Sequence, residues 1–73
     1  MTKAEIRDIL KGGIELGEIT FETPEDKEVA LQMFKDKDPL EDILDYLQSS
    51  DANVKSGEEH IEDMQSEYDL ISD

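Results

Sequence analysis

Apolar residues recur along this chain at helical spacing in four stretches and at strand spacing in one. The most regular stretch is Asp38–Gln48, where Leu40, Ile43, Leu44 and Leu47 fall at i, i+3, i+4 and i+7 and make one continuous apolar stripe. Asp38 is placed to cap this helix and Pro39 suits its first position. Glu41, three residues after the cap, has the reach to bond back to the cap's own N–H. The other side carries Glu41, Asp42 and Asp45 with no basic residue to answer them. The expected helix buries a leucine-rich face and shows water a row of negative charge.

Upstream, Thr2 with Glu5 forms a capping-box pattern, and Ala4, Ile6, Ile9 and Leu10 predict a short helix that ends at Gly12–Gly13. Lys3, Arg7 and Lys11 lie on it at i, i+4, i+8 as the one basic face of the molecule, read as ordinary solvated charge. In Gly13–Glu22, Ile14 and Leu16, then Ile19 and Phe21, alternate with polar residues around Gly17. That alternation fits one or two short strands, and it equally fits a loop that tucks these four side chains under the helices. Thr23-Pro24-Glu25-Asp26 then starts a helix with a cap, an N1 proline and acidic first-turn residues. Its expected buried stripe is Val29, Ala30, Met33 and Phe34, with Leu31 at the edge. It ends near Asp36, ahead of Pro39.

Ser49–Ser56 reads as a polar connector. Ser56 with Glu59 is another capping-box pattern, and Ile61, Met64, Tyr68 and Ile71 predict a last helix of roughly Gly57–Leu70. Residues 57–73 therefore form an acidic C-terminal helix or tail. Like charges at i, i+4 (Glu58/Glu62, Glu59/Asp63, Asp63/Glu67) each cost it a few tenths of a kcal/mol, about 0.2–0.5. The architecture expected is one small, mainly helical domain over 1–73, of three or four helices. If Ile14–Phe21 forms a hairpin, the class becomes α+β.

Composition changes this picture in two ways. With 73 residues and no cysteine, the core is small and nothing covalent staples it, so a second copy in a homodimer could complete it. The formal charge of −14 lies far outside the magnitude of about 2–8 usual for a soluble small domain. The charge is also segregated. Residues 1–37 carry 9 acidic and 6 basic side chains, and residues 38–73 carry 12 acidic side chains and Lys55 alone. A solubility coat would not normally divide in this way. Anionic lipid and nucleic acid would both be repelled, and no stretch is apolar and long enough to span a membrane. No secretory signal opens the chain, so a cytoplasmic protein with a basic partner is expected, in the host cell if phage-encoded.

Candidate chemistry is sparse. Asp36, Asp38 and Glu41 resemble the start of a calcium loop, but Pro39 and the missing central glycine break the pattern, so no metal site is expected. His60 is the one histidine and has no H-E-x-x-H partner. The serines lie in connectors or the acidic tail, and neither a cleft for paired carboxylates nor a glycine-rich phosphate loop is evident. Neither enzymatic activity nor a cofactor is expected. Acyl carrier proteins share the length and acidity, and Asp38-Pro39-Leu40 looks similar to the Asp-Ser-Leu motif opening their central helix. Here proline replaces the serine that carries their phosphopantetheine arm, so no carrier function follows.

The carboxylates can instead imitate phosphates. Duplex DNA presents one negative charge per about 1.7 Å of axis, and helical carboxylates three or four residues apart lie about 5–6 Å from one another. Rows such as Asp38/Asp42/Asp45 and Glu59/Asp63/Glu67 suit a groove that normally holds nucleic acid, with Glu41, Glu58, Glu62 and Asp69 beside them. Tyr46 and Tyr68 would add non-electrostatic affinity. In size, charge and lack of catalytic groups the chain resembles the small acidic nucleic-acid (DNA) mimic proteins, many of them phage-encoded inhibitors of host DNA-binding proteins. The resemblance implies a stoichiometric inhibitor of a basic nucleic-acid-binding protein: a nucleoid protein, RNA polymerase or a nuclease. The competing expectation is a regulatory adaptor that docks Met64, Tyr68, Leu70 and Ile71 into a partner's groove as an amphipathic helix, with the acidic residues only steering the encounter.

Overall fold

Helix α1 (Lys3–Leu16) starts as its first residues dictate. The Glu5 N–H donates to Thr2 Oγ1 at 3.2 Å, and the Thr2 N–H donates back to Glu5 Oε1 at 3.0 Å. That backbone hydrogen bond from Thr2 holds the Glu5 carboxyl below its ordinary pKa. In the computed structural model, which describes residues 1–71, α1 is followed by β1 (Thr20–Phe21), α2 (Pro24–Lys35) and α3 (Leu40–Gln48). A single 3-10 turn (Ser50–Ala52), β2 (Val54–Ser56) and α4 (Glu58–Ile71) complete the chain. The result is a small, mainly α domain of four helices with a short two-stranded antiparallel sheet. Positions 72–73 of the expected C-terminal tail lie outside the described residues.

The first helix does not end at Gly12–Gly13. It runs on for one more turn because its neighbour, not its own propensity, decides. Gly13 is buried, and a Cβ there would sit 3.1 Å from His60 Nε2 and 3.4 Å from Ile19 Cδ1. Glycine at 13 is what lets α4 approach α1. The real stop is Gly17, in the left-handed region at φ 86°, with the Glu18 and Ile19 N–H groups both donating to the Gly13 carbonyl. Ile14 is consequently a core residue of α1 and Leu16 is exposed, so of the alternating segment only Thr20–Phe21 is strand. Its partner is not a nearby strand but β2, inside what reads as a polar connector, with Thr20 opposite Ser56 and Phe21 opposite Val54. The Ser56 hydroxyl, expected to cap the last helix, instead pairs with Thr20 Oγ1 at 2.6 Å.

Helix α2 is capped by Thr23, whose Oγ1 accepts from the Asp26 N–H at 3.2 Å. Its buried stripe is Ala30 and Phe34, flanked by half-buried Leu31 and Met33. Val29, expected inside, is 48% exposed, since the stripe is rotated toward Leu31. Helix α2 closes with a Schellman motif: Lys37 N–H donates to the Phe34 carbonyl at 3.2 Å and Asp38 N–H to the Met33 carbonyl at 3.1 Å. Lys37 holds φ 58°, a position where glycine is usual. This ending takes Asp38 out of the capping role expected of it. The N-cap of α3 is Pro39, without a side-chain cap, and the Asp38 carbonyl accepts from Arg7 Nη2 at 2.9 Å. Arg7 is thus a half-buried tie between α1 and the α2–α3 corner rather than part of a solvated basic face.

The core gathers Ile6, Leu10 and Ile14 from α1, Ile19, Phe34 from α2, the whole Leu40/Ile43/Leu44/Leu47 stripe of α3, and Ile61 and Met64 from α4. The radius of gyration is 11.2 Å, the value of about 11 Å expected for a compact chain of this length. The charge does not loosen the packing. No charged residue is fully buried among the described residues, and Arg7 enters the interior only partway.

Candidate polyanionic face

Helix α4 has two different flanks. Toward α1, His60 lies against Gly13, its Nε2 buried without a hydrogen-bond partner and 4.0 Å from Glu18 Oε2. Nearby, Gly57 at φ 95° touches Ile19: a Cβ there would stand 2.5 Å from the Glu18 carbonyl oxygen. Toward α3, the outer margin of the contact is polar. Gln48 Nε2 donates to its own helix at the Leu44 carbonyl (3.0 Å) and across to Gln65 Oε1 (2.8 Å), and Gln65 Nε2 donates on to Asp69 Oδ1 (2.9 Å).

This amide ladder fixes which acidic residues come together. At about 100° per residue, Glu41 and Asp45 lie within about 60° of Gln48 on α3, and Glu58, Glu62 and Asp69 within about 60° of Gln65 on α4. All five are exposed. They lie on the flanks of α3 and α4 that this ladder joins, beside a small notch of about 160 Å³ lined by Leu47, Gln48, Glu58, Ile61 and Glu62.

The rows drawn from the sequence are therefore redistributed. Asp42, Glu59 and Asp63 are exposed on the outer faces of their helices, over 100° from the ladder by the same geometry. Glu67 is half-buried and turns toward α1, on the same flank as His60. Asp38 stands outside α3 and is half-buried at the corner, so it does not extend the α3 row. Gln48 and Gln65, the residues that organise the seam, were not singled out by charge or periodicity. Their signal is position: each is a long amide at the margin of an apolar stripe.

The tyrosines do not join the rows. Tyr46 is half-buried on the opposite flank of α3, and its pKa is raised by burial and then by the nearby Asp26 and Asp51 carboxylates. Tyr68 is half-buried with Lys3 Nζ 5.6 Å from its ring centroid, a cation–π contact between α4 and α1. The apolar face of α4 is largely used inside the domain: Met64 is buried, Tyr68 and Ile71 are half-buried, and Leu70 alone projects, 80% exposed. Among the described residues, no three acidic or histidine side chains gather closely enough to hold a metal ion, and no helix is long and apolar enough to cross a membrane. Comparison with protein families, with characterised proteins and with solved structures gives no match to this chain.

Proposed function

We propose that this chain is a non-enzymatic inhibitor or regulator that presents a DNA-like acidic surface to a basic nucleic-acid-binding protein, such as a nucleoid protein, RNA polymerase or a nuclease. The observation that carries this reading is the set of exposed carboxylates, Glu41 and Asp45 of α3 and Glu58, Glu62 and Asp69 of α4, on the flanks that the Gln48–Gln65 bond joins. They belong to a half-chain with 12 acidic side chains and a single lysine. Such a surface offers a cationic groove the charge density it evolved to grip, on a frame already folded, so little ordering entropy is lost on binding. The exposed acidic side chains of the outer faces, Asp42, Glu59 and Asp63, add long-range attraction.

The test is affinity capture from a bacterial lysate on the immobilised protein, with and without excess duplex DNA, eluted in rising salt. A nucleic-acid-binding protein displaced by DNA and released by moderate salt is the expected result. Capture that resists high salt and ignores DNA would overturn the reading in favour of an apolar docking mode.

A further inference from the structure

Two clefts adjoin at the start of α4. One, of about 300 Å³, opens where the end of α3 and the 3-10 turn face β2 and Glu58. The other is the notch of about 160 Å³ on the α3–α4 margin. Leu47 and Glu58 line both. Between them the clefts carry three carboxylates, Glu22, Glu58 and Glu62, and no lysine, arginine or histidine. Most of their other polar side chains add acceptors, because their donors are already spent within the protein. Gln48 Nε2 donates to the Leu44 carbonyl and to Gln65 Oε1, which fixes the amide's orientation and leaves its Oε1 over. Asn53 Nδ2 donates to Asp26 Oδ1 at 3.3 Å and to the Asp51 carbonyl at 3.4 Å, which leaves its Oδ1 an acceptor as well. The Ser49 hydroxyl donates to the Tyr46 carbonyl at 2.7 Å.

We propose that these clefts dock neighbouring arginine side chains from a basic segment of the partner protein. The inference rests on the proposed reading of the chain as a ligand of a basic protein, and it names the anchor. A lining rich in acceptors and poor in side-chain donors calls for a guest that only donates, and arginine offers five N–H donors and no acceptor. Its planar fork spreads those donors over several oxygens, where a lysine ammonium acts as a compact point charge. Charge complementarity points the same way. Glu58 and Glu62 are a like-charged i, i+4 pair, about 5–6 Å apart, with no basic side chain in the lining to bridge them. A guanidinium between them turns that repulsion into two attractions. The notch lies below the range of about 300–1,000 Å³ usual for small-molecule sites, so it suits one side chain rather than a whole organic ligand. A metal ion is a poorer fit, since among the described residues no three acidic or histidine side chains gather closely enough to hold one. A second copy of a chain with net charge −14 would be repelled on approach.

The experiment is an amide-resolved NMR titration of the full chain with two acetylated, amidated peptides of equal charge, Gly-Arg-Arg-Gly-Arg-Arg-Gly and Gly-Lys-Lys-Gly-Lys-Lys-Gly. Saturable shifts centred on residues 22, 47–50, 53–54 and 58–62 are expected with the arginine peptide. The lysine peptide should bind at least about threefold more weakly. E58Q/E62Q is expected to weaken the arginine peptide about tenfold, and E15Q/E28Q, which removes the same charge from exposed sites on α1 and α2, less than about twofold. Equal affinity for the two peptides, equal losses in the two variants, or no saturable shift at millimolar peptide would each overturn the proposal. Spermine saturating the same amides more tightly than the arginine peptide would overturn it in favour of a free polyamine. The titration and the lysate capture fail separately. A captured nucleic-acid-binding protein that holds E58Q/E62Q as tightly as the parent chain would overturn the arginine clefts and leave the acidic surface standing. Arginine binding in the clefts with no such protein captured would uphold the clefts and overturn the wider reading.

Discussion

The two flanks of α4 solve the same packing problem in opposite ways. Against α1 the approach is close: Gly13 yields to the His60 ring, and Gly57 yields to the Glu18–Ile19 backbone. Against α3 the margin is wet and amide-linked, with exposed carboxylates on both sides. Shape complementarity at native density is intolerant of an added methyl, whereas an exposed hydrogen-bonded margin tolerates substitution because water replaces lost partners. The exposed margin beside α3 can therefore carry charge without disturbing the close contact with α1.

Substitutions on each flank can break or sharpen this contrast. Gly57→Ala has the largest expected effect: it combines φ 95° with a Cβ 2.5 Å from the Glu18 carbonyl, and a loss of at least about 3 kcal/mol in urea unfolding is expected. Ile61→Ala, in the core beneath the α3–α4 margin and 1% exposed, should lose about 2–5 kcal/mol in the same assay. Gln48→Ala removes the cross-seam bond and should cost no more than about 1 kcal/mol; a loss as large as that of Gly57→Ala would erase the distinction between the flanks. Glu62→Gln should act in the other direction, raising stability by about 0.2–0.5 kcal/mol through relief of the Glu58 pair, while weakening capture of a cationic partner.

The smallest effect concerns Tyr46, beyond both flanks. Its folded pKa is raised above the unfolded value near 10, so the folded state keeps the phenol proton to higher pH than the unfolded state does. The associated stability is fully present below the unfolded pKa and is lost as pH rises through the folded one. Denaturation midpoints should fall above about pH 10, and Tyr46→Phe should flatten that part of the profile.

Local rules made half of this structure legible in the sequence. The Thr2/Glu5 box, the Thr23-Pro24 start and the Leu40–Leu47 and Ile61–Ile71 stripes are contacts within one element, and each formed in place. What failed to read out was set by distant partners. Gly13 looks like a helix stop until His60 is placed against it, and Ser56 looks like a cap until Thr20 takes its hydroxyl. Val54 alone gave no strand pattern, because β2 exists only opposite β1. For the candidate face, composition and spacing identified the acidic helices, but which carboxylates share a seam depends on the Gln48–Gln65 bond, and one-dimensional periodicity carries no such information.

The two-stranded sheet has a kinetic consequence. Thr20 and Ser56 are 36 positions apart, and closing a loop of that length costs about 3 kcal/mol of chain entropy before any pairing is gained. So short a pairing cannot repay that cost by itself, so the strands meet only after α2 and α3 have collapsed onto α1. The sheet is then a late clasp around the α2–α3 half. While it is shut, it holds together the two ends of the segment that carries α2 and α3.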